Sequence, residues 1–198
     1  MKIVLKTYSE LIKKECPFVS DGELRFFIGG LTVMKLKNKE LYIKANSIQE
    51  NIGFVYKGLI RCFYIKENCK DVTYSFVKEG GYITHYPAFI NRQPSKYSFQ
   101  CLEPSTIINI SHNHIQICFE KCPSLLFYLS MSLGKEFTVQ LSRIEGFLFD
   151  DAETRYLNFI NENKDLYNRI SLTHLSSYLG IERQSLTRIR KNLIQKKI

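Results

Sequence analysis

One segment near the end of the chain restricts the fold more than any other, because its apolar and turn residues allow few arrangements. Ser171 is placed to cap a short helix that begins at Leu172. Gly180 then permits a left-handed turn, which would strain a residue with a side chain. A second helix follows, with apolar residues three and four positions apart on its inner face: Leu186, Ile189 and Leu193. Two short helices joined by a tight turn with glycine predict a helix-turn-helix.

The residues where the two helices would cross fit the same prediction. Leu175 and Leu179 share one face of the first helix, and the small Ser176 lies between them, where the backbones must approach closely. Ile181 is predicted to be a buried plug after the glycine. Because several independent positions coincide, this pattern is far more specific than a single glycine motif.

Polar side chains on the outward face of the second helix predict DNA binding. A recognition helix enters the major groove with its N-terminal end first. Arg can bind guanine and Gln can bind adenine through two parallel hydrogen bonds, so the predicted base contacts are Arg183, Gln184 and Arg188. Side chains suited to phosphates, which position a protein without reading sequence, are Thr173, His174, Ser185, Thr187, Arg190 and Lys191.

The distribution of charge supports this prediction. The formal net charge is +9, and residues 169–198 carry seven basic residues against a single acid, Glu182, or +6. The first 168 residues carry only +3. A helix face can be basic simply because it is exposed to solvent, and this would explain the charge. It would not explain why the helix-turn-helix pattern lies in the same thirty residues. The coincidence of charge and pattern favours nucleic acid as the partner.

Residues 1–120 predict a different architecture. A helix around 7–14 and a second one, with a capping box formed by Ser20 and Glu23, precede the strands. Short stretches of alternating apolar and polar residues then lie between turn signals, at residues 34–37, 40–44, 54–56, 59–65, 72–77, 97–102 and 106–110. Such strands are typical of a β-sandwich, a jelly roll or a barrel.

Residues 121–148 predict one long helix. An apolar stripe recurs every three or four residues, at Leu126, Leu129, Leu133, Phe137, Leu141, Ile144 and Leu148. The stripe is either buried within its own domain or forms a dimer seam like that of a coiled coil. Spacing alone favours neither reading. Residues 149–198, which begin with the helix-capping sequence Asp150–Glu153, then form the helix-turn-helix domain.

The chain carries no signal for export or for a membrane span. Its N-terminus has too few apolar residues for a signal peptide, and no apolar stretch approaches the length of a span. The six cysteines include no C-x-x-C pair, so reduced thiols and a cytoplasmic protein are expected.

The order of these parts resembles the Crp/Fnr family of bacterial transcription regulators. Four segments carry the resemblance: GFVYKGLIR at 53–61, LEPS at 102–105, DAETRYL at 151–157 and SYLGIERQSLTRIR at 177–190. The resemblance implies an α+β protein with an antiparallel, jelly-roll-like β-roll of the cyclic-nucleotide-binding type. It also implies a homodimer along the long helix, a pseudo-palindromic site on double-stranded DNA, RNA polymerase as a partner and an unidentified small-molecule effector in the roll.

The chain departs from the family where cyclic nucleotides bind. The phosphate cassette of those members has a Gly-Glu pair and then Arg, Ser or Thr, and Ala, whereas this chain has Ser95, Lys96 and Tyr97 in the last three places. A cyclic phosphate needs an arginine guanidinium that donates two hydrogen bonds and space beside the backbone. This chain lacks the arginine and fills the space with the Tyr97 ring, so we expect no cyclic AMP binding. Arg92, Lys96 and Tyr97 are the weak candidates for another effector. Only Cys16 lies near the N-terminus, so no iron–sulfur cluster is expected and no cofactor is predicted. The sequence continues for five residues after Leu193, so no C-terminal wing is expected.

Rival functions rest on weaker patterns. His85, His112, His114 and Glu120 suggest a metal enzyme with a jelly roll, but their spacing does not match such a site. A small-molecule sensor without DNA function is the other alternative, and no catalytic arrangement is visible. Binding of the basic C-terminal segment to a membrane surface is a further alternative. It would require apolar residues that face the lipid, but the helix-turn-helix already uses those residues for its own packing. The prediction is therefore a transcription regulator that is not an enzyme.

Overall fold

Among the residues that the structure describes, the chain folds into eight α-helices, one short 3-10 helix (Lys164–Leu166) and eight strands. This structure is a computed structural model and describes residues 1–195. Lys196 and Lys197, which the charge of the tail includes, lie outside the described residues. The helices are α1 (Lys2–Glu15), α2 (Asp21–Gly29), α3 (Tyr86–Ile90), α4 (His112–Lys121), α5 (Pro123–Phe149), α6 (Ala152–Glu162), α7 (Leu172–Leu179) and α8 (Arg183–Gln195). The strands are β1 (Leu31–Leu36), β2 (Leu41–Ile43), β3 (Asn51–Lys57), β4 (Ile60–Ile65), β5 (Asp71–Val77), β6 (Tyr82–Ile83), β7 (Ser98–Cys101) and β8 (Ser105–Ser111).

Two four-stranded antiparallel sheets form the β-rich part, in the orders β1-β8-β3-β6 and β2-β7-β4-β5. In the first sheet β8 lies between β1 and β3, and Ile110 pairs with Leu31 on one side and with Ile52 on the other. Each strand that the alternation predicts is present, with its ends shifted by a few residues. The predicted α+β class is therefore confirmed.

The described chain divides into two compact units. The first consists of Met1–Cys62 and Phe76–Glu136, and the second of Phe63–Ser75 and Phe137–Ile198. The second unit therefore contains the turn between β4 and β5 as well as the three C-terminal helices. The three-part division at residues 120 and 148 stays a prediction.

The first unit builds its core from alternate residues of β8. Ile108 and Ile110 join a buried cluster with residues of α1, α2, α4 and α5, among them Tyr8, Phe27 and Leu125. Asn109, which points to the opposite face, accepts a hydrogen bond of 2.9 Å from the Tyr42 hydroxyl of β2. One face of the sheet thus packs on helices and the other faces the second sheet, as the period of two in a strand requires.

Caps begin the helices where the sequence places them. The Ser20 side chain accepts from the Glu23 amide while the Glu23 carboxylate accepts from the Ser20 amide, so the predicted capping box is confirmed. The Asp151 carboxylate accepts a hydrogen bond of 2.8 Å from the Thr154 amide at the start of α6. Hydrogen bonds from Thr154 lower the pKa of Asp151.

Strand β6 and helix α3 were not predicted, because they are too short to show a period. Helix α4 begins directly after β8 with Ser111 as its cap, at the exit from the roll. Ile181 is half-buried, so its prediction as a buried plug was wrong. Among the described residues all six cysteines are free thiols, and no helix is long and apolar enough to cross a membrane.

Candidate nucleic-acid interface

Helices α6, α7 and α8 form a small three-helix core in the second unit. Each helix contributes apolar residues from one face, as the amphipathic spacing predicts. The buried residues of the three helices are Tyr156, Phe159, Leu175, Leu179, Leu186 and Ile189. Leu166, from the short 3-10 helix between α6 and α7, is buried with them. The small Ser176 is also buried at 4% exposure, which fits a position where two helix backbones approach.

A left-handed glycine joins α7 to α8. The Ser171 side chain accepts from the His174 amide at 3.2 Å and begins α7. Gly180 ends α7 with φ 66° and ψ 32°, and its amide donates to the carbonyl oxygens of Ser176 and Ser177. The Ile181 amide also donates to the Ser176 carbonyl, at 2.9 Å. These hydrogen bonds satisfy carbonyls that the end of a helix would otherwise leave without partners.

Gly180 is also required for close packing. A Cβ atom at this position would lie 2.8 Å from the Phe147 ring atom Cε1, closer than side-chain carbons approach. Sequence analysis identified the left-handed turn, but not Phe147 as the residue that packs on it. The two residues are far apart in sequence, so spacing carried no signal of this contact.

The outward face of α8 is exposed and carries the predicted reading residues. At about 100° per residue, five side chains lie within about 140° of arc. These exposed residues are Arg183, Gln184, Thr187, Arg188 and Lys191. The Thr187 hydroxyl donates to the Arg183 carbonyl at 3.0 Å, within the helix. The structure therefore brings all three predicted base-contacting residues to one open surface.

The other predicted phosphate contacts lie around this face. Thr173 is exposed near the start of α7, and His174 and Ser185 are half-buried. Arg190 is half-buried as well, and its guanidinium lies 4.9 Å from the Tyr167 ring centre and donates to the Tyr167 hydroxyl. Arg190 is therefore held against the protein, whereas Lys191 projects into solvent.

Two arginines that sequence analysis did not select hold the end of α7. Arg155 donates to the Leu179 carbonyl at 3.1 Å and to the Asp150 carbonyl at 2.7 Å. Arg143 donates to the Tyr178 carbonyl at 3.1 Å. Arginine donors thus satisfy the last carbonyls of α7 and connect this helix to α5 and α6.

The long helix α5 carries the predicted apolar stripe. Leu125 and Tyr128 are its buried residues, and the helix is otherwise exposed or half-exposed among the described residues. Leu129 is partly buried against the core of the first unit. The other stripe residues are exposed by 37% to 70%: Leu126, Leu133, Phe137, Leu141, Ile144 and Leu148.

The predicted effector residues contact other residues of the chain. Both guanidinium nitrogens Nη1 and Nη2 of Arg92 lie 3.1 Å from carboxylate oxygens of Glu50. The Lys96 ammonium lies 5.1 Å from the Tyr97 ring centre, and the Tyr97 ring meets the His85 ring edge to face at 4.9 Å. Burial lowers the pKa of His85, and the nearby charge of Lys96 lowers it further.

Ser95 is the residue that the sequence resemblance aligns with the arginine of cyclic-nucleotide-binding members. It is fully buried, and its amide donates to the Ser47 carbonyl at 2.9 Å while its hydroxyl donates to the Tyr97 carbonyl at 2.9 Å. The described residues contain no group of three or more His, Cys, Asp or Glu side chains that could hold a metal ion.

Comparisons with known proteins identify the fold. No known family profile matches the sequence. No curated protein matches it either. Among solved structures, CLP, a c-di-GMP-responsive global regulator of Xanthomonas campestris, has a TM-score of 0.73 at 13% identity, with 90% of this chain and 93% of that chain covered. FixK2 from Bradyrhizobium japonicum has a TM-score of 0.72 at 13% identity, with 85% of this chain and 86% of that chain covered. A CooA mutant from Carboxydothermus hydrogenoformans has a TM-score of 0.69 at 17% identity, with 85% of this chain and 78% of that chain covered.

These structures are regulators of the Crp/Fnr family. The chain therefore has the Crp/Fnr fold, and the resemblance noted in the sequence is confirmed at the level of the fold.

The close packing of Gly180 generates a prediction for stability. Gly180→Ala should lower the free energy of unfolding by about 2–5 kcal/mol, because it combines left-handed strain with a clash against Phe147. Gly80→Ala is the matched control, since Gly80 also has a positive φ (86°) but has no atom within 4 Å of an added Cβ. Gly80→Ala should lower the free energy of unfolding by about 1–2 kcal/mol. Denaturant unfolding measures both, and equal losses would contradict the role of the Phe147 contact.

Proposed function

We propose that this chain is a sequence-specific, DNA-binding transcription regulator of Crp/Fnr type that acts as a homodimer in the bacterial cytoplasm. The observation that carries the proposal is the exposed basic face of α8 on a helix-turn-helix. The Crp/Fnr fold supports it, because the structural neighbours CLP and FixK2 match almost the full chain. The proposed protein is a binding regulator and not an enzyme.

The reading chemistry follows from the position of each side chain on α8. Arg183 and Gln184 stand in the first turn, and Arg188 stands one turn further along the same face. Two parallel hydrogen bonds from Arg select guanine and those from Gln select adenine. Thr187 and Lys191 are exposed on this face and Thr173 is exposed near the start of α7, and we propose that they supply phosphate contacts, which add affinity without sequence preference.

The exposed apolar stripe supports dimerisation along α5. Monomeric proteins rarely expose large contiguous apolar patches, and the repeated exposed apolar residues along α5 support an interface there. A second copy of the same helix would bury Leu126, Leu133, Phe137, Ile144 and Leu148 in a twofold seam. Two recognition helices would then read two half-sites, so the operator should be pseudo-palindromic.

The roll is proposed to hold a degenerate cyclic-nucleotide pocket. Ser95 lacks a charge to pair with a phosphate, and Glu50 already pairs with Arg92. The Tyr97 ring, packed on His85, replaces the small residue of the family. We therefore expect no cyclic AMP binding. Any effector would be a different small molecule, and RNA polymerase is the proposed protein partner.

Duplex DNA binding is the central test. The wild-type protein should bind DNA with an affinity that falls steeply with salt, and selection from genomic fragments should recover a pseudo-palindrome. Arg188→Ala should cost about 1–3 kcal/mol on that site and relax the preference at one base pair. Lys191→Ala, the control for non-specific charge, should weaken all sequences alike and lower the salt slope by about 1.

Fluorescence anisotropy with specific and scrambled duplexes measures these effects. Absence of duplex binding at low salt would contradict the proposal. A ligand-dependent rise in melting temperature without any DNA binding would favour a small-molecule sensor instead, and copurified stoichiometric metal would favour a jelly-roll enzyme.

Dimerisation is tested on α5. Ile144→Glu places a carboxylate in the proposed seam and should raise the dimer dissociation constant by about a hundredfold, because the charge would be buried without a partner. Ser142→Glu makes the same change on the opposite face of the helix, where Ser142 is exposed, and should leave the dimer intact. Sedimentation equilibrium measures both. A dimer that tolerates Ile144→Glu would exclude this seam.

The pocket is tested by thermal stability. Millimolar cyclic AMP should leave the melting temperature of the wild-type protein unchanged, because a ligand stabilises only when it binds the folded state. AMP at the same concentration is the control for unspecific nucleotide effects. A saturable rise with cyclic AMP alone would show that the cassette still functions despite Ser95 and Tyr97.

A further inference from the structure

The turn between β4 and β5 belongs to the same compact unit as the helix-turn-helix. Residues 63–75 group with the chain from Phe137 onward. We call the segment from Phe63 to Ser75 the β4–β5 hairpin. The sequence alone predicts that these residues belong to the β-roll of residues 1–120, so the contacts of the hairpin with α7 and α8 require a separate explanation.

The first contact joins the hairpin to α7. The Thr73 amide of β5 donates a hydrogen bond of 2.9 Å to the Ser177 side-chain oxygen. Thr73 has no exposed surface and Ser177 is half-buried, so water does not compete freely for this bond. A buried backbone donor without a partner would be costly, which makes Ser177 a specific acceptor rather than a chance neighbour.

The second contact is an aromatic cage around Arg143. Its guanidinium carbon lies 4.6 Å from the Tyr178 ring centre, 5.0 Å from that of Phe147 and 5.7 Å from that of Tyr74. Tyr74 belongs to β5 and Tyr178 to α7, so one cation contacts the hairpin and the helix-turn-helix together. Such contacts stabilise most when the cation is partly removed from water, as half-buried Arg143 is.

The third contact reaches the start of the recognition helix. The Lys70 ammonium lies 3.6 Å from the Glu182 carboxylate, and Glu182 directly precedes α8. The turn that presents Lys70 is internally hydrogen-bonded: the Lys66 amide donates to the Lys70 carbonyl and the Cys69 amide to the Lys66 carbonyl, each at 2.9 Å. Glu182 is the single acid among residues 169–198.

We propose that the β4–β5 hairpin is part of the DNA-binding surface, where Lys70 neutralises Glu182 and the contacts of Thr73 and Arg143 hold α7 in place. This inference rests on the proposed function. A recognition helix inserts its N-terminal end between the two phosphate backbones. A carboxylate at that end repels DNA, and a lysine beside it cancels the repulsion.

The exposure of the pair indicates where its contribution lies. The Lys70 and Glu182 side chains are 62% and 82% exposed, and exposed pairs contribute little to folding. Without Lys70, by contrast, the negative charge of Glu182 would repel the phosphates of bound DNA directly. Removal of Lys70 should therefore affect DNA affinity more than stability.

A double-mutant cycle tests the role of Lys70. Lys70→Ala should weaken operator binding about twofold to fivefold more per half-site than Lys66→Ala. Lys66 is the matched control, because it is an exposed lysine in the same turn. With Glu182→Gln in both variants the difference should disappear, since no acid remains to neutralise. Fluorescence anisotropy at several salt concentrations measures all four variants beside the wild type.

Each outcome of this cycle has a fixed meaning. Equal effects of Lys70→Ala and Lys66→Ala would overturn the inference while leaving the proposed function intact. Tighter DNA binding by Lys70→Ala would overturn it as well and would show that the hairpin restrains the recognition helix. A wild-type protein that binds no duplex DNA would overturn the proposed function and this inference with it.

The role of Ser177 as a positioning residue is tested first by hydrogen exchange in the free protein and then by DNA affinity. Ser177→Ala should speed hydrogen exchange of the Thr73 amide about threefold to tenfold, because the acceptor is lost. Ser177→Thr keeps the hydroxyl and should restore the protection. DNA affinity should fall and recover in parallel. Unchanged exchange at Thr73 in Ser177→Ala would show that this hydrogen bond does not hold the hairpin to α7.

Discussion

The left-handed turn at Gly180 is the constraint on which the exposed face of α8 depends. Its amide donates to the last carbonyls of α7 and reverses the chain into α8. The Phe147 ring packs on the space that a side chain would occupy, and Arg155 donates to the Leu179 carbonyl from the other direction. Because this turn sets the rotation of α8, it decides that Leu186 and Ile189 face the core while Arg183 and Arg188 face solvent.

Sequence analysis predicted the features that arise between residues close together in the chain. The caps at Ser20, Asp151 and Ser171 and the turn at Gly180 each involve partners within about one helical turn, so spacing reveals them. Strands with strict alternation were also predictable. Helix α3 and strand β6 were not, because elements of five and two residues show no period. The Arg143 cage joins residues distant in sequence, and composition carries no signal of such a contact.

The structure also refines the charge argument. A count of lysines and arginines treats every base alike, but two of the predicted anion-binding residues have partners within the chain: Arg190 contacts Tyr167, and Arg92 pairs with Glu50. The exposed charges of α8 are concentrated at Arg183, Arg188 and Lys191. Net charge predicts the class of partner, while the geometry identifies which charged side chains are open to solvent.

Packing and reading use separate residues of the same helix, and this separation explains how a chain with little sequence identity to its structural neighbours can keep the fold. The inner positions of α8 need only apolar side chains of suitable size, whereas the outer positions contribute almost nothing to the core. The exposed stripe of α5 extends the same logic to assembly. In the proposed dimer a second copy would cover that stripe, and two weak half-site contacts would act as one binding event. The affinity gained in this way depends on the spacing of the recognition helices and requires no additional contact with DNA.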